Sequence, residues 1–129
     1  MDKTGVTISS AQDAARLFQG IFNGAERESI VVAYLDRERR LLATKQIEAR
    51  RADVENFGER AIIEDALRLD AGGIIVASLS PGEDTSPREN DLALTRRLAN
   101  SFRNLGLTLH DHLIFGVGEY QSMRSLGLL

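Results

Sequence analysis

The chain has 129 residues, 43% hydrophobic and 27% charged. That suits one globular domain with a sizeable core, and no apolar run approaches the roughly 20 residues of a membrane-spanning helix. The absence of cysteine excludes a disulfide framework and a thiolate metal site, and the net charge of −3 counts against general nucleic-acid binding.

In chain order, Ser9 and Ser10 can cap a first helix with Asp13 in its first turn. Ala14, Ala15, Leu17, Phe18, Ile21 and Phe22 then recur at helical spacing, and Asn23-Gly24 ends the run. Ser29 to Leu35 (SIVVAYL) reads as a strand, Asp36 to Arg39 as a charged turn and Arg40 to Glu48 as a second strand, which makes a hairpin. Polar Ala49 to Asn56 reads as a loop, and Phe57 to Leu69 as a helix. Gly73 to Leu79 (GIIVASL) has the apolar run of a strand covered on both faces. Pro81-Gly82 breaks it. Ser86-Pro87-Arg88-Glu89 predicts a helix opened by a Ser86 N-cap, with Pro87 in the first turn and Glu89 as capping-box partner. Its stripe is Leu92, Leu94, Leu98, Phe102 and Leu105, and Gly106 stops it. Thr108 to Phe115 is a last long strand, followed by a Gly116-Val117-Gly118 turn and a short terminal piece. The fold class expected is α/β, a single domain with a three-layer mixed sheet flanked by helices. A strand that feeds a helix through a polar loop is where such folds usually place their chemistry, which directs attention to Ser78, Ser80 and Asp91.

Several segments taken together resemble a known family: AYLDRERRLLA, ERAIIEDALRLDAGGIIVA, SPREND followed by LALTRRLANSFRNLGLTLHDHLIFG, and the terminal SLGLL. Their order and spacing resemble the RadC-type JAB/MPN domain, whose members carry the JAMM metal motif. The resemblance implies a deaminase-like mixed sheet over residues 28–129, with 1–27 as an N-terminal helical segment. The helix-hairpin-helix pattern of longer RadC proteins is not expected in those first residues. It also implies a site built from a Glu in the hairpin's second strand, His-x-His-Pro at a strand end and an Asp opening the next helix. Aligned residue by residue, Gln46 falls at the Glu, Ser78 and Ser80 at the two His, Pro81 at the Pro and Asp91 at the Asp. Active members use zinc.

The residues themselves speak against a metal. A catalytic zinc takes three protein ligands, mostly imidazole, thiolate or carboxylate, and keeps one position open. Serine hydroxyls stay neutral near pH 7, Asp91 alone cannot hold the ion, and Gln46 cannot act as a general base. The expectation is therefore no catalytic residue, no cofactor and no metal, with Asp91 favouring a helix N-terminus instead. His110 and His112 form a His-x-His that in a regular strand would share a face, but no third ligand is close in sequence. Ser78 and Ser80 lack a nucleophile-elbow motif, and His112 with Asp111 or Asp84 would complete a triad only if the fold brought them together. The basic hairpin residues Arg37, Arg39, Arg40, Lys45, Arg50 and Arg51 interleave with acids, as a solvated mixed-charge surface does.

The reading is thus a catalytically degenerate RadC-like JAB/MPN domain, a pseudoenzyme that binds a protein partner or regulates one. The alternatives are a zinc peptidase or isopeptidase-like hydrolase of the JAMM type, and a DNA-repair-associated nucleic-acid-binding domain. Phe18, Ile21 and Phe22 with the terminal LGLL offer either a face that completes the core or a homodimer contact. A cytoplasmic location is the default, since MDKTGVTISS has no signal-peptide core.

Overall fold

The computed structural model describes residues 5–22, 29–48, 54–79, 85–116 and 118–129, and at 48 and 54–58 the backbone alone. The elements run α1 (Ala11–Phe22), β1 (Ser29–Leu35), β2 (Leu41–Glu48), α2 (Val54–Arg68), β3 (Gly73–Leu79), α3 (Glu89–Arg103), β4 (Thr108–Phe115) and β5 (Tyr120–Ser122). One sheet has the order β2-β1-β3-β4-β5. Only β3 and β4 are parallel; the other pairs are antiparallel. A parallel pair needs a crossover, and α3 supplies it. The result is the mixed α/β sheet flanked by helices that the sequence predicts.

β1 and β3 lie at the centre of the sheet, which explains their near-continuous apolar sequence. Alternate residues face opposite layers. On one side Val31, Ala33, Leu35, Ile75 and Ala77 pack against Ala14, Ala15, Phe18 and Phe22 of α1. Small residues on both partners let the helix lie close to the strands. Phe18, Phe22, Phe115 and Tyr120 form an aromatic cluster there, with neighbouring ring centroids 5.4–6.4 Å apart. Phe18 and Phe22 therefore complete the core, while Ile21 is exposed. On the other side Ile30, Val32, Tyr34, Ile74 and Val76 pack against Ile62 and Ala66 of α2 and Leu94, Leu98 and Phe102 of α3.

A polar clamp fixes α2 to this second face. The Tyr34 hydroxyl donates to Asp65 Oδ2 at 3.3 Å, and Asp65 also accepts from Lys45 at 2.8 Å and Arg68 at 3.0 Å. Burial pushes the Asp65 carboxyl up, but Lys45 and Arg68 outweigh it and hold the group below the ordinary carboxylate range. Burial, then the Asp65 charge, raises the Tyr34 phenol well above its usual value.

Three element ends differ from the sequence reading. α2 begins at Val54, so part of the polar stretch before Phe57 is helical rather than loop. The residues 49–53 lie outside those described. α3 begins at Glu89, with Arg88 and not Ser86 at its N-cap position. Pro87 lies in the extended lead-in, and the side chain that reaches back is Asp91, which accepts the Arg88 amide at 3.1 Å. The Ser-Pro-x-Glu pattern is shifted by two residues against the actual box because Asp91 sits three residues after the cap. α3 also ends earlier, at Arg103, and Gly106 at φ +69 turns the chain after it. Leu105, placed on the predicted apolar stripe, is 43% exposed as a result.

Phe18 is fully buried among three elements, so Phe18→Ala should cost about 3–5 kcal/mol in denaturant unfolding. Tyr34→Phe removes one buried donor but leaves Asp65 its two cations, and should cost only about 1 kcal/mol in the same measurement.

Candidate functional site

The C-terminal end of β3, the first turns of α3 and the middle of β4 meet on the α2/α3 side of the sheet. Ser78 continues the face of Ile74 and Val76 and is buried. Its Oγ donates to Asp91 Oδ1 at 3.0 Å and lies 2.7 Å from His112 Nε2. The other ring nitrogen, Nδ1, lies 2.7 Å from the hydroxyl of Thr95, one turn along α3 from Asp91. Asp91 Oδ2 takes the Arg88 amide.

One tautomer satisfies the whole row. Thr95 donates to Nδ1, the Nε2 hydrogen donates to Ser78, Ser78 donates to Asp91, and Asp91 accepts as a carboxylate. Each hydroxyl gives its single hydrogen once, Thr95 to the ring nitrogen at 2.7 Å in preference to the weaker Met123 sulfur acceptor at 3.6 Å. His112 is the fully buried hub. Burial pushes the ring down to a pKa of about 4 against the opposing pull of Asp91 and Asp111, so it is neutral at pH 7. Consistent with that, its Nε2 stands 3.8 Å from Asp91 Oδ1, with the serine placed between them by the hydrogen bonds.

The four positions aligned with the metal motif do not all converge. Ser78 and Asp91 are in direct contact, as the alignment implies. Ser80, Pro81 and Asp84 lie outside the described residues. Gln46 is on the other side of the sheet. It pairs with Val31, which faces α1, whereas its neighbours Lys45 and Ile47 pair with Val32 and Ile30, which face α2 and α3. Directly paired residues point the same way, so Gln46 is exposed on the α1 side, and the β2 side chain level with Ser78 is Ile47. Gln46 therefore does not share a layer with Ser78 and Asp91, and in a strand a step of one residue inverts the face.

The two histidines also separate. β4 carries a register shift against β3, where Ile74 pairs with Leu109 but Ile75 with Asp111. His110 is the extra residue of this bulge. Leu109 and His112 consequently face α2 and α3, while His110 and Asp111 line a pocket on the α1 side. The expectation that His110 and His112 share a face is overturned by that one inserted residue. Asp111 is no triad acid either: it accepts from the His112 amide at 2.7 Å, from Ser122 Oγ at 2.5 Å and from the Arg124 amide at 3.1 Å. Sequence reading missed the role of His112 and Thr95. Their signal is weak, a polar residue on an otherwise apolar helix stripe and another on an apolar strand.

Among the described residues the donor set does not fit zinc. Ser78 is a neutral hydroxyl already hydrogen-bonded on both sides, and Asp91 and His112 supply two ligand groups where a catalytic zinc takes three. No three carboxylate or imidazole groups converge among the described residues. Nor is Ser78 an activated nucleophile: in the satisfying tautomer Nε2 carries the hydrogen and cannot take one from the serine.

A neutral buried imidazole makes stability pH-dependent. His112 has a folded pKa of about 4 against 6.5 unfolded, so the unfolded chain binds the extra proton between these values. Its contribution is full above about pH 6.5 and is lost as pH falls towards 4. His112→Gln should flatten the slope of unfolding free energy against pH in that window. An unchanged slope would contradict the assignment.

Residues 8–128 match the family profile described as RadC-like JAB domain. Among curated proteins, the UPF0758 protein of Aquifex aeolicus (strain VF5) is 34% identical over 127 residues, covering 98% of this chain and 54% of its own length. That of Rhodobacter capsulatus is 35% identical over 102 residues, covering 79% of this chain and 48% of its own. The UPF0758 protein YfjY of Escherichia coli (strain K12) is 30% identical over 127 residues, covering 98% of this chain and 79% of its own. The chain thus spans about half the length of the first two relatives. The chain belongs to the family of RadC-like JAB domains.

Proposed function

We propose that this chain is a non-hydrolytic RadC-like JAB domain that acts by binding a protein partner. The observation that supports this reading is the hydroxyl of Ser78 where active members carry an imidazole. Ser78 gives its hydrogen to Asp91 and accepts from His112, so the groups satisfy one another. A buried polar row of this kind stabilises and fixes the local arrangement when every member is paired. It joins β3, β4 and α3, which makes it a structural tie in place of a reaction centre.

Zinc titration tests the reading. The melting midpoint of the untagged protein should not move with added zinc. The variant carrying Ser78→His and Ser80→His should gain stability, by roughly 2.7 kcal/mol at free zinc about 100 times its dissociation constant. An equal zinc-dependent rise in the unaltered protein, or metal-dependent cleavage of an isopeptide-linked substrate by it, would overturn the proposal.

A further inference from the structure

A second polar cluster lies on the opposite face of the sheet and has no part in the Ser78 row. The bulge in β4 turns His110 and Asp111 towards the start of α1, where they border a pocket of about 430 Å³. Its other charged walls are Arg39 from the hairpin turn and Arg124 after β5. Ser9, Ser10, Ser122 and Ser125 add hydroxyls to the lining.

Both guanidinium groups are held in place without a carboxylate partner among the described residues. Arg39 donates through Nε to the Ile8 carbonyl at 2.7 Å and through Nη1 to His110 Nδ1 at 3.0 Å. Arg124 donates through Nε to the His110 carbonyl at 2.6 Å and through Nη2 to that of Leu109 at 3.3 Å. Each keeps further N–H groups to offer. The His110 ring is itself wedged against β3: a Cβ on Gly73 would stand 2.6 Å from its Nε2. That close approach fixes the ring that orients Arg39. Burial, followed by the charges of Arg39 and Arg124, pushes His110 down to a pKa of about 4, so the ring is neutral at pH 7 and its Nδ1 can accept from Arg39. Asp111, the acid in the lining, is buried and occupied by three donors.

Arg39 also occupies a strained position. Its φ is +66, in the left-handed region where a hairpin turn ordinarily uses Gly or Asn. An arginine here costs backbone energy that a glycine would not. Asp36 holds the turn, accepting from the amides of Glu38 and Arg40 at 2.8 Å each. The strained residue thus carries the side chain that reaches Ile8 and His110.

We infer that this pocket binds the phosphate group of a small phosphorylated molecule. The two immobilised guanidinium groups line the pocket and keep N–H donors beyond those given to Ile8, His110 and Leu109, and such charged donors suit phosphate oxygens. The hydroxyls of Ser9, Ser10 and Ser125 supply further donors, whereas Ser122 gives its hydrogen to Asp111. The volume lies within the range of small-molecule pockets, about 300–1,000 Å³, and leaves room for an organic group beyond the phosphate. An extended nucleic-acid track would need a longer basic surface than this compact cluster provides.

Calorimetric titration of the full chain with inorganic phosphate and with ribose 5-phosphate, at fixed ionic strength, tests the site. Both should bind, the ester more tightly. Arg124→Gln should weaken both by about tenfold or more, the loss expected for one charge-assisted hydrogen-bonding group. Arg39→Gly, which relieves the turn, should abolish binding while the protein still melts cooperatively. Arg103→Gln, on the last turn of α3, should bind as the unaltered chain does. No binding of either probe, or unchanged binding by Arg124→Gln and Arg39→Gly, would overturn the inference. So would a tenfold preference for a single-stranded oligonucleotide over ribose 5-phosphate, which would assign the cations to nucleic acid. Because Ser78 and its partners lie across the sheet, none of these outcomes bears on the zinc titration.

Discussion

A single buried imidazole holds the most demanding part of this fold. His112 has both ring nitrogens paired and sits between the end of β3 and the second turn of α3. Neutral and enclosed, it acts as a directional connector, taking a hydrogen from Thr95 and passing one to Ser78. The orientation of every other polar group in the row follows from that choice, down to the carboxylate that also caps α3. Removing any member would leave the next one buried without a partner, a penalty larger than the worth of the bond itself. The crossover helix, the parallel strand pair and the helix start are therefore interdependent.

Much of the framework could be read from residues alone. SIVVAYL and GIIVASL announce central strands because both of their faces need apolar cover, and that need leaves a mark on every residue. The pairing of Ser78 with Asp91 was legible through the motif's spacing. What was not legible depends on register. Gln46 and Ile47 are neighbours in sequence but point to opposite layers, and the polar second strand of the hairpin offers no alternation strong enough to tell them apart. His110 and His112 look like a face-sharing pair until the bulge separates them, and nothing in LTLHDHLIF marks the inserted residue. The cap of α3 was misplaced because Ser86 and Glu89 form a capping signal as good on paper as the Arg88–Asp91 arrangement actually used.

The hairpin turn shows the same limit from another side. A run of alternating charges suggests a solvated surface, and Arg37 and Glu38 fit that description. Arg39, one residue further, does not. Its positive φ swings the side chain inwards against Ile8 and His110. Composition describes the turn on average; the backbone geometry of one residue decides which charge leaves the solvent.

The bulge in β4 has an evolutionary consequence. In a regular strand, polar residues two apart crowd one layer and must change together. With one residue inserted, two adjacent polar side chains serve the α1 layer, and their flanking residues serve the α3 layer. Drift in one layer then leaves the other's chemistry intact.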